Sequence, residues 1–418
     1  MRITILLLFL GCIISVKISA QKVCASQELL NQQMAADPEF AKKIKNSEQS
    51  FDAYVSRLKE STKKTGATVT IPIVVHVVYN SPEQNIPDAQ VQSQIDVLNE
   101  DYSATNKDYR GYDAGYTAVK GNAELRFCLV RIVRQQTNNK SFSWNDGVKF
   151  AKRGGSDAID PAHNLNIWVC DLGKNLLGYA QFPGGKLETD GVVIDYQATG
   201  RGKFAVLYPA FNLGRTATHE IGHWFGLRHI WGDATCGNDF VDDTPLHNAA
   251  NFDCPGEGHR STCTGTPLEM WMNYMDYTDD RCMYFFSDGQ VARMNYFLDN
   301  DPNRLYLAAN SSCSSGLITS SPARSIDATE RTSQNTNAFV IFPTVASTSA
   351  KLQIDNLNGA SLQLNILTAD GKLVRVIKMG NQLKVQRILD VSNLKEGVYL
   401  VVLISNNKRT FNKLVIQR

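Results

Sequence analysis

Three of the seven histidines of this 418-residue chain fall within one short stretch, His219-Glu220-Ile221-Gly222-His223-Trp224-Phe225-Gly226-Leu227-Arg228-His229. On a helix, residues four apart share a face, so His219 and His223 can offer their imidazoles to one cation while Glu220 reaches a water on it. In a continuing helix His229 would lie ~15 Å along the axis from His219, out of reach of the same ion. Gly226 permits another path, because a glycine at positive φ ends a helix and turns the chain back. Three neutral imidazoles leave a position open to water, whereas structural zinc is usually closed by four protein ligands, often cysteines. The chemistry implied is hydrolysis, with the ion acidifying water and polarising a carbonyl while Glu220 takes the proton as general base. Random placement at this composition gives the five-residue core of the pattern on the order of four times per million chains, so coincidence does not compete.

Such a site needs a scaffold, and the flanking sequence supplies one. Thr70 to Tyr79 is β-branched nearly throughout and too apolar for a surface strand. Pro87-Asp88 opens a helix in which Val91, Ile95 and Leu98 recur at helical spacing up to Tyr102. Further strands are predicted at Leu125 to Val133, Asn164 to Asp171, Gly178 to Phe182 and Gly191 to Ile194, giving an α/β sandwich of ~200 residues. Upstream, residues 21–64 are polar and helix-prone, with basic residues at Arg57, Lys59, Lys63 and Lys64, and read as a small helical leader. Downstream, Ser, Thr and Asn dominate 310–337, where Leu317 and Ile318 are the paired apolar residues, and this segment reads as a linker. From residue 338 short strands at Phe339 to Pro343, Leu362 to Leu367, Leu373 to Met379, Gly397 to Ser405 and Phe411 to Ile416 predict a separate all-β sandwich, with turns at Ala369 to Lys372 and Ser405 to Lys408.

Composition narrows the function. With 43 Lys+Arg against 41 Asp+Glu, the net charge of +2 gives no reason to invoke nucleic acid or a charged membrane as partner, and 43% hydrophobic residues exclude a mainly disordered chain. No stretch after residue 20 approaches the ~18 apolar residues of a membrane span. Arg2 followed by apolar Ile3 to Val16 and by Ile18-Ser19-Ala20 reads as a secretory signal over 1–20, which makes disulfides permissible. Of nine cysteines, Cys12 leaves with the signal, and Cys236, Cys254, Cys263 and Cys282 cluster closely enough to suggest two bridges with three possible connectivities. Cys24 stands alone near the mature start, and partners for Cys128, Cys170 and Cys313 stay open. Asp239, Asp242, Asp243 and Thr244 offer hard oxygen ligands suited to calcium.

The histidine stretch resembles the extended zinc motif of the metzincin metalloendopeptidases, and within them the pappalysin family. Asn273-Tyr274-Met275-Asp276-Tyr277 resembles that family's methionine turn, and the resemblance spans residues 70–305. It implies a secreted zinc endopeptidase made as a zymogen, with a twisted mixed sheet, a zinc-site helix and an irregular C-terminal subdomain over 65–309. It assigns the zinc to His219, His223 and His229, the general base to Glu220, an oxyanion hydrogen bond to Tyr277, and the turn beneath the metal to Met275. Leu177 to Phe182 resembles the edge strand that pairs with substrate backbone, through Gly178, Tyr179 and Ala180. The family pattern suggests bridges Cys236–Cys263 and Cys254–Cys282, with calcium near Asp242, Asp243 and Thr244.

Lys22-Val23-Cys24-Ala25 resembles the pro-segment cysteine of pappalysin zymogens, whose thiolate would displace the water and make the propeptide an inhibitor. Relatives that cleave before basic residues carry an acidic residue where this chain has Arg281, which implies no preference for Lys or Arg after the cut, whether Arg281 lines that pocket, turns to solvent or pairs with Asp279 or Asp280. The C-terminal β-domain resembles the sorting domain that secreted Bacteroidetes proteins present to the type IX secretion machinery, on Gly397-Val398-Tyr399-Leu400, Asn407-Lys408 and Lys413 to Ile416. Expected partners are protein or peptide substrates, the propeptide and that machinery. The alternative is a zinc-containing extracellular binding or adhesion protein without proteolytic activity, against which the retained Glu220 argues.

Overall fold

The computed structural model describes residues 24–59, 68–173, 176–202, 209–301, 303–304, 307, 313, 338–342, 345–355, 361–368, 372–381, 384–405 and 408–418. The expected signal 1–20, Lys63 and Lys64, all of the linker except Cys313, and the turn residues 369–371 and 406–407 lie outside the described residues. The leader forms α1 (Ser26–Ala36) and α2 (Pro38–Lys59). The main domain follows with β1 (Val69–Tyr79), α3 (Asp88–Tyr102), β2 (Leu125–Gln136), β3 (Leu165–Cys170), β4 (Gly178–Ala180), β5 (Val192–Asp195), α4 (Arg215–Trp224) and α5 (Asp288–Asn300).

The strand order is β2-β1-β3-β5-β4, parallel except for β4, which runs antiparallel to β5 at one edge. Successive side chains of a strand face opposite ways. Ile71, Ile73, Val75 and Val77 therefore meet Val91, Ile95 and Leu98 of α3 on one face. Val78, Trp168, Tyr179 and Val193 lie on the other, with Val148, Leu172 and the leader's Ala25 and Leu29. Burial of both faces is why β1 reads as an unbroken apolar run rather than an alternating one.

Helix α4 is buried along its whole length. Its entry is fixed by Asp280, whose Oδ2 accepts from the backbone N–H of Leu213 (2.9 Å) and Arg215 (3.1 Å). Its flank is tied to α3, where Thr218 Oγ1 donates to Asp101 Oδ2 at 2.7 Å and Tyr102 OH donates to the Thr218 carbonyl at 2.9 Å. The loop-rich stretch between α4 and α5 carries the bridges Cys236–Cys263 and Cys254–Cys282. A third bridge joins Cys128 on β2 to Cys313, so the segment read as a linker from residue 310 is still tied to the sheet at that point. Cys24 and Cys170 are buried thiols outside any bridge.

The C-terminal residues form β6 (Ala338–Phe342), β7 (Val345–Ala346), β8 (Ser349–Asp355), β9 (Leu362–Thr368), β10 (Leu373–Gly380), β11 (Lys384–Asp390), β12 (Gly397–Ser405) and β13 (Lys408–Ile416). They make a sheet of order β10-β9-β12-β13-β7 and a second of order β11-β8-β6 around one apolar core. Sequence reading found five of these strands and missed β7, β8 and β11. In Ser349–Asp355 and Lys384–Asp390 the apolar residues are few and separated by Lys, Gln and Arg, which weakens the strand signal.

Candidate active site

The zinc-motif helix ends at Gly226, which takes φ +87°. The Leu227 N–H donates to the Gly222 carbonyl (3.0 Å) and the Gly226 N–H to the His223 carbonyl (2.8 Å), the paired bonds of a left-handed helix terminus. His229 thereby returns to the face that carries His219 and His223. A Cβ at residue 226 would lie 2.2 Å from Phe297 Cε2. Gly226→Ala is accordingly expected to destabilise the fold by more than ~1 kcal/mol. Thermal unfolding measures this, and an unchanged midpoint would contradict it.

Each imidazole is oriented by a hydrogen bond at Nδ1. His219 meets the Tyr274 carbonyl at 2.7 Å, His223 the Leu227 carbonyl at 2.8 Å, and His229 the Asp233 carboxylate at 2.6 Å. Carbonyls and carboxylates only accept, so Nδ1 carries the proton and each neutral ring presents a lone pair at Nε2. These lone pairs converge, with His223 Nε2 at 3.0 Å from His219 Nε2 and 3.1 Å from His229 Nε2. Three lone pairs at such separations repel unless a cation lies among them, so the residues present fit a metal ion. Among the described residues, the one group of metal-ligating side chains close enough to share an ion is Cys24, His219, His223 and His229, all buried.

Glu220 is fully buried, and its Oε2 accepts from Ser26 Oγ at 2.7 Å and Cys24 Sγ at 3.3 Å. Burial, then the charge of Glu220, raises the Cys24 thiol well above its ordinary pKa. Tyr277 OH lies 3.0 Å from His229 Nε2 and 3.4 Å from the Cys24 carbonyl, and burial raises its phenol well above the usual tyrosine range. Beneath the helix, Met275 packs against Gly222, where a Cβ would stand 2.5 Å from Met275 Sδ.

The leader lies along β4 in parallel, Cys24 facing Gly178. The Ala25 N–H donates to the Gly178 carbonyl at 3.2 Å and the Ala180 N–H to Ser26 Oγ at 2.8 Å. Gly178 stands directly over Glu220, with room for no side chain: a Cβ would be 2.8 Å from Glu220 Cγ. The Tyr179 side chain points to the opposite face and is fully buried near Lys149, leaving its backbone to the edge.

Two further expected groups have side-chain partners. The Arg281 side chain is 69% exposed, and its Nε donates to Asp279 Oδ2 at 3.1 Å. Asp243 accepts from Ser287 Oγ (2.6 Å) and the Gly289 N–H (2.8 Å) at the start of α5, and Thr244 Oγ1 donates to Asp239, while Asp242 is exposed. Asp233, Ser26, Gly222 and the Tyr274 carbonyl belong to the site and were not singled out from sequence. Asp233, four residues after His229, is the one whose spacing could have signalled it.

Comparison with known proteins accords with this geometry. The family model described as pregnancy-associated plasma protein-A, a metallopeptidase family, matches residues 155–299. An extracellular metalloprotease of Arthroderma benhamiae is 33% identical over 253 residues, covering 57% of this chain and 75% of its own length. The chain belongs to the pappalysin family of metalloproteases. A Tannerella forsythia promirolysin mutant shares 41% identity with a TM-score of 0.62, covering 69% of this chain and 97% of that one. Mature mirolysin in complex with a cleaved peptide shares 45% identity with a TM-score of 0.56, covering 58% of this chain and 96% of that one. Residues 340–417 match the secretion system C-terminal sorting domain. The protein is thus a secreted metalloendopeptidase with a type IX sorting domain, and no helix among the described residues is long and apolar enough to cross a membrane.

Proposed function

We propose that the chain is a zinc endopeptidase made as a zymogen whose leader, residues 21–64, occupies its own substrate cleft. The observation that carries this reading is the convergence of three Nε2 lone pairs beside buried Glu220, under an edge strand already engaged by the leader. His219, His223 and His229 would hold the ion, and zinc suits a set of three neutral nitrogens. When bound, it supplies Lewis acidity that acidifies water and polarises the carbonyl to be attacked. Glu220 takes the proton of the attacking water and delivers it to the leaving nitrogen. Tyr277, its phenol kept protonated, donates to the oxygen on which negative charge develops.

The Gly178 carbonyl and the Ala180 N–H hold substrate as an added strand, since both are ladder groups of an edge and the leader uses both. That shared use, and Cys24 among the metal ligands, support latency by residues 21–64. The similar promirolysin chain also covers more of this chain than mature mirolysin does. Arg281 pairs with Asp279, and the reading against Lys or Arg after the cut rests on the missing carboxylate at 281. Calcium at Asp242, Asp243 and Thr244 is not required by this chemistry. The sorting domain would route the protein through the type IX machinery of a Bacteroidetes cell.

Stripping the metal from activated enzyme with a chelator should abolish hydrolysis of casein, and one equivalent of zinc should restore it. Hydrolysis that persists after metal analysis shows less than stoichiometric zinc would overturn the reading. A binding protein with a structural ion would show no hydrolysis in either state.

A further inference from the structure

The leader leaves one buried charge cluster that the chemistry above does not use. Glu48 of α2 inserts between two arginines of the main domain, its Oε1 lying 3.2 Å from Arg228 Nη2 and 2.7 Å from Arg293 Nη2, and its Oε2 2.6 Å from Arg293 Nη1. The arginine side chains are only 11% and 1% exposed. Arg293 is aimed by its Nε, which donates to the Gly226 carbonyl at 2.7 Å, a contact wholly within the main domain that survives loss of the leader. Arg228 lies 4.9 Å above the ring of Phe182, and that ring packs 5.3 Å from the His223 imidazole. Phe240 faces both guanidinium groups, at 6.0 and 5.8 Å.

These contacts put the arginine pair in the cleft, toward the end to which β4 runs. Gln27, the residue after the strand-bound Ser26, already reaches Arg228 Nη1 with its Oε1 at 3.0 Å. A side chain on a peptide held by β4 can therefore touch this pair. Asp233, another carboxylate close to Arg228, is taken up by His229 Nδ1. When the leader departs, two adjacent guanidinium groups lose their shared carboxylate while Arg293 keeps its aim.

We propose that in the activated enzyme Arg228 and Arg293 form a specificity subsite for an acidic side chain of the substrate, which takes the place Glu48 holds in the precursor. This rests on the reading of residues 21–64 as a removable propeptide. The fork geometry of two guanidinium groups suits a carboxylate, and a basic side chain there meets like charge.

The test uses enzyme freed of its leader and a peptide series in which one Glu is walked through the positions on both sides of a fixed cleavage site, with Gln at the same position as control. At one position Glu should raise kcat/KM about tenfold over Gln, with no such ratio elsewhere. That ratio should fall toward one in Arg228→Gln and in Arg293→Lys, and persist in Arg126→Gln, which alters an exposed arginine on β2. Equal kcat/KM for Glu and Gln at every position, in enzyme that leader removal has activated, would overturn the subsite alone. Failure of leader removal to raise activity would overturn the zymogen reading and the subsite with it. The wild-type series decides the matter even where an arginine variant does not fold.

Discussion

Replacing Glu220 by Gln should slow peptide cleavage at least ~100-fold while leaving a folded protein that binds about one zinc. The side chain is fully buried beneath Gly178, and Gln matches it in size, so packing is conserved and the change is confined to the proton it can accept. The metal ligands do not depend on it, because their orientation comes from the Tyr274 and Leu227 carbonyls and from Asp233. Metal content and the thermal midpoint should therefore stay near wild type as turnover collapses. A variant that turns over within about threefold of wild type would remove Glu220 from the proton-transfer role, since such a group ordinarily contributes 10²-fold or more.

What could be read from sequence was what chemistry compresses into short range. Three ligands and a base within one stretch announce themselves, as does β1, whose burial on both faces leaves no polar alternation. The missing parts of the site are long-range or carried by backbone. Nothing in the sequence says that the Tyr274 carbonyl will meet His219, or that Ser26 will bridge the edge strand and the base, because those contacts exist only once the chain is folded. The Arg281–Asp279 pair was legible as one outcome, since an exposed pair that close in sequence is ordinary for a surface guanidinium. The bonds that Asp243 accepts from Ser287 and Gly289, 44 and 46 positions on, were not legible, because they depend on where α5 begins. Arg293 lies in Ser287 to Met294, a stretch that supports the family resemblance but carries no sign that this residue reaches the cleft.

Latency should depend on two separable contacts, and their loss is the other large effect expected. Cys24→Ala removes the thiol from the metal centre and should give a precursor with measurable activity. Glu48→Ala acts some distance away, leaving Arg228 and Arg293 buried under α2 without the carboxylate they share. Removing one partner of a buried ion pair costs about 3 kcal/mol or more, so leader added in trans should inhibit about 100-fold less tightly. Undocking of α2 returns both arginines to water and caps the loss near that figure.

The pH dependence tells the two contacts apart. Burial alone would raise the Glu48 carboxyl, but Arg293 of α5 and Arg228 of the zinc-motif turn outweigh it and hold it below the ordinary carboxylate range. A carboxyl whose pKa is depressed on docking contributes stability above its undocked pKa, and loses it as pH falls through the docked value. Inhibition by the wild-type leader should therefore show no Glu48-dependent change between about pH 5 and 7 and should weaken below about pH 4. The Glu48→Gln leader isolates this part, because its weaker inhibition has no carboxyl left to titrate at that position. Parallel pH profiles for the two leaders, measured on the same activated enzyme, would show that the Glu48 pair does not hold the leader in place.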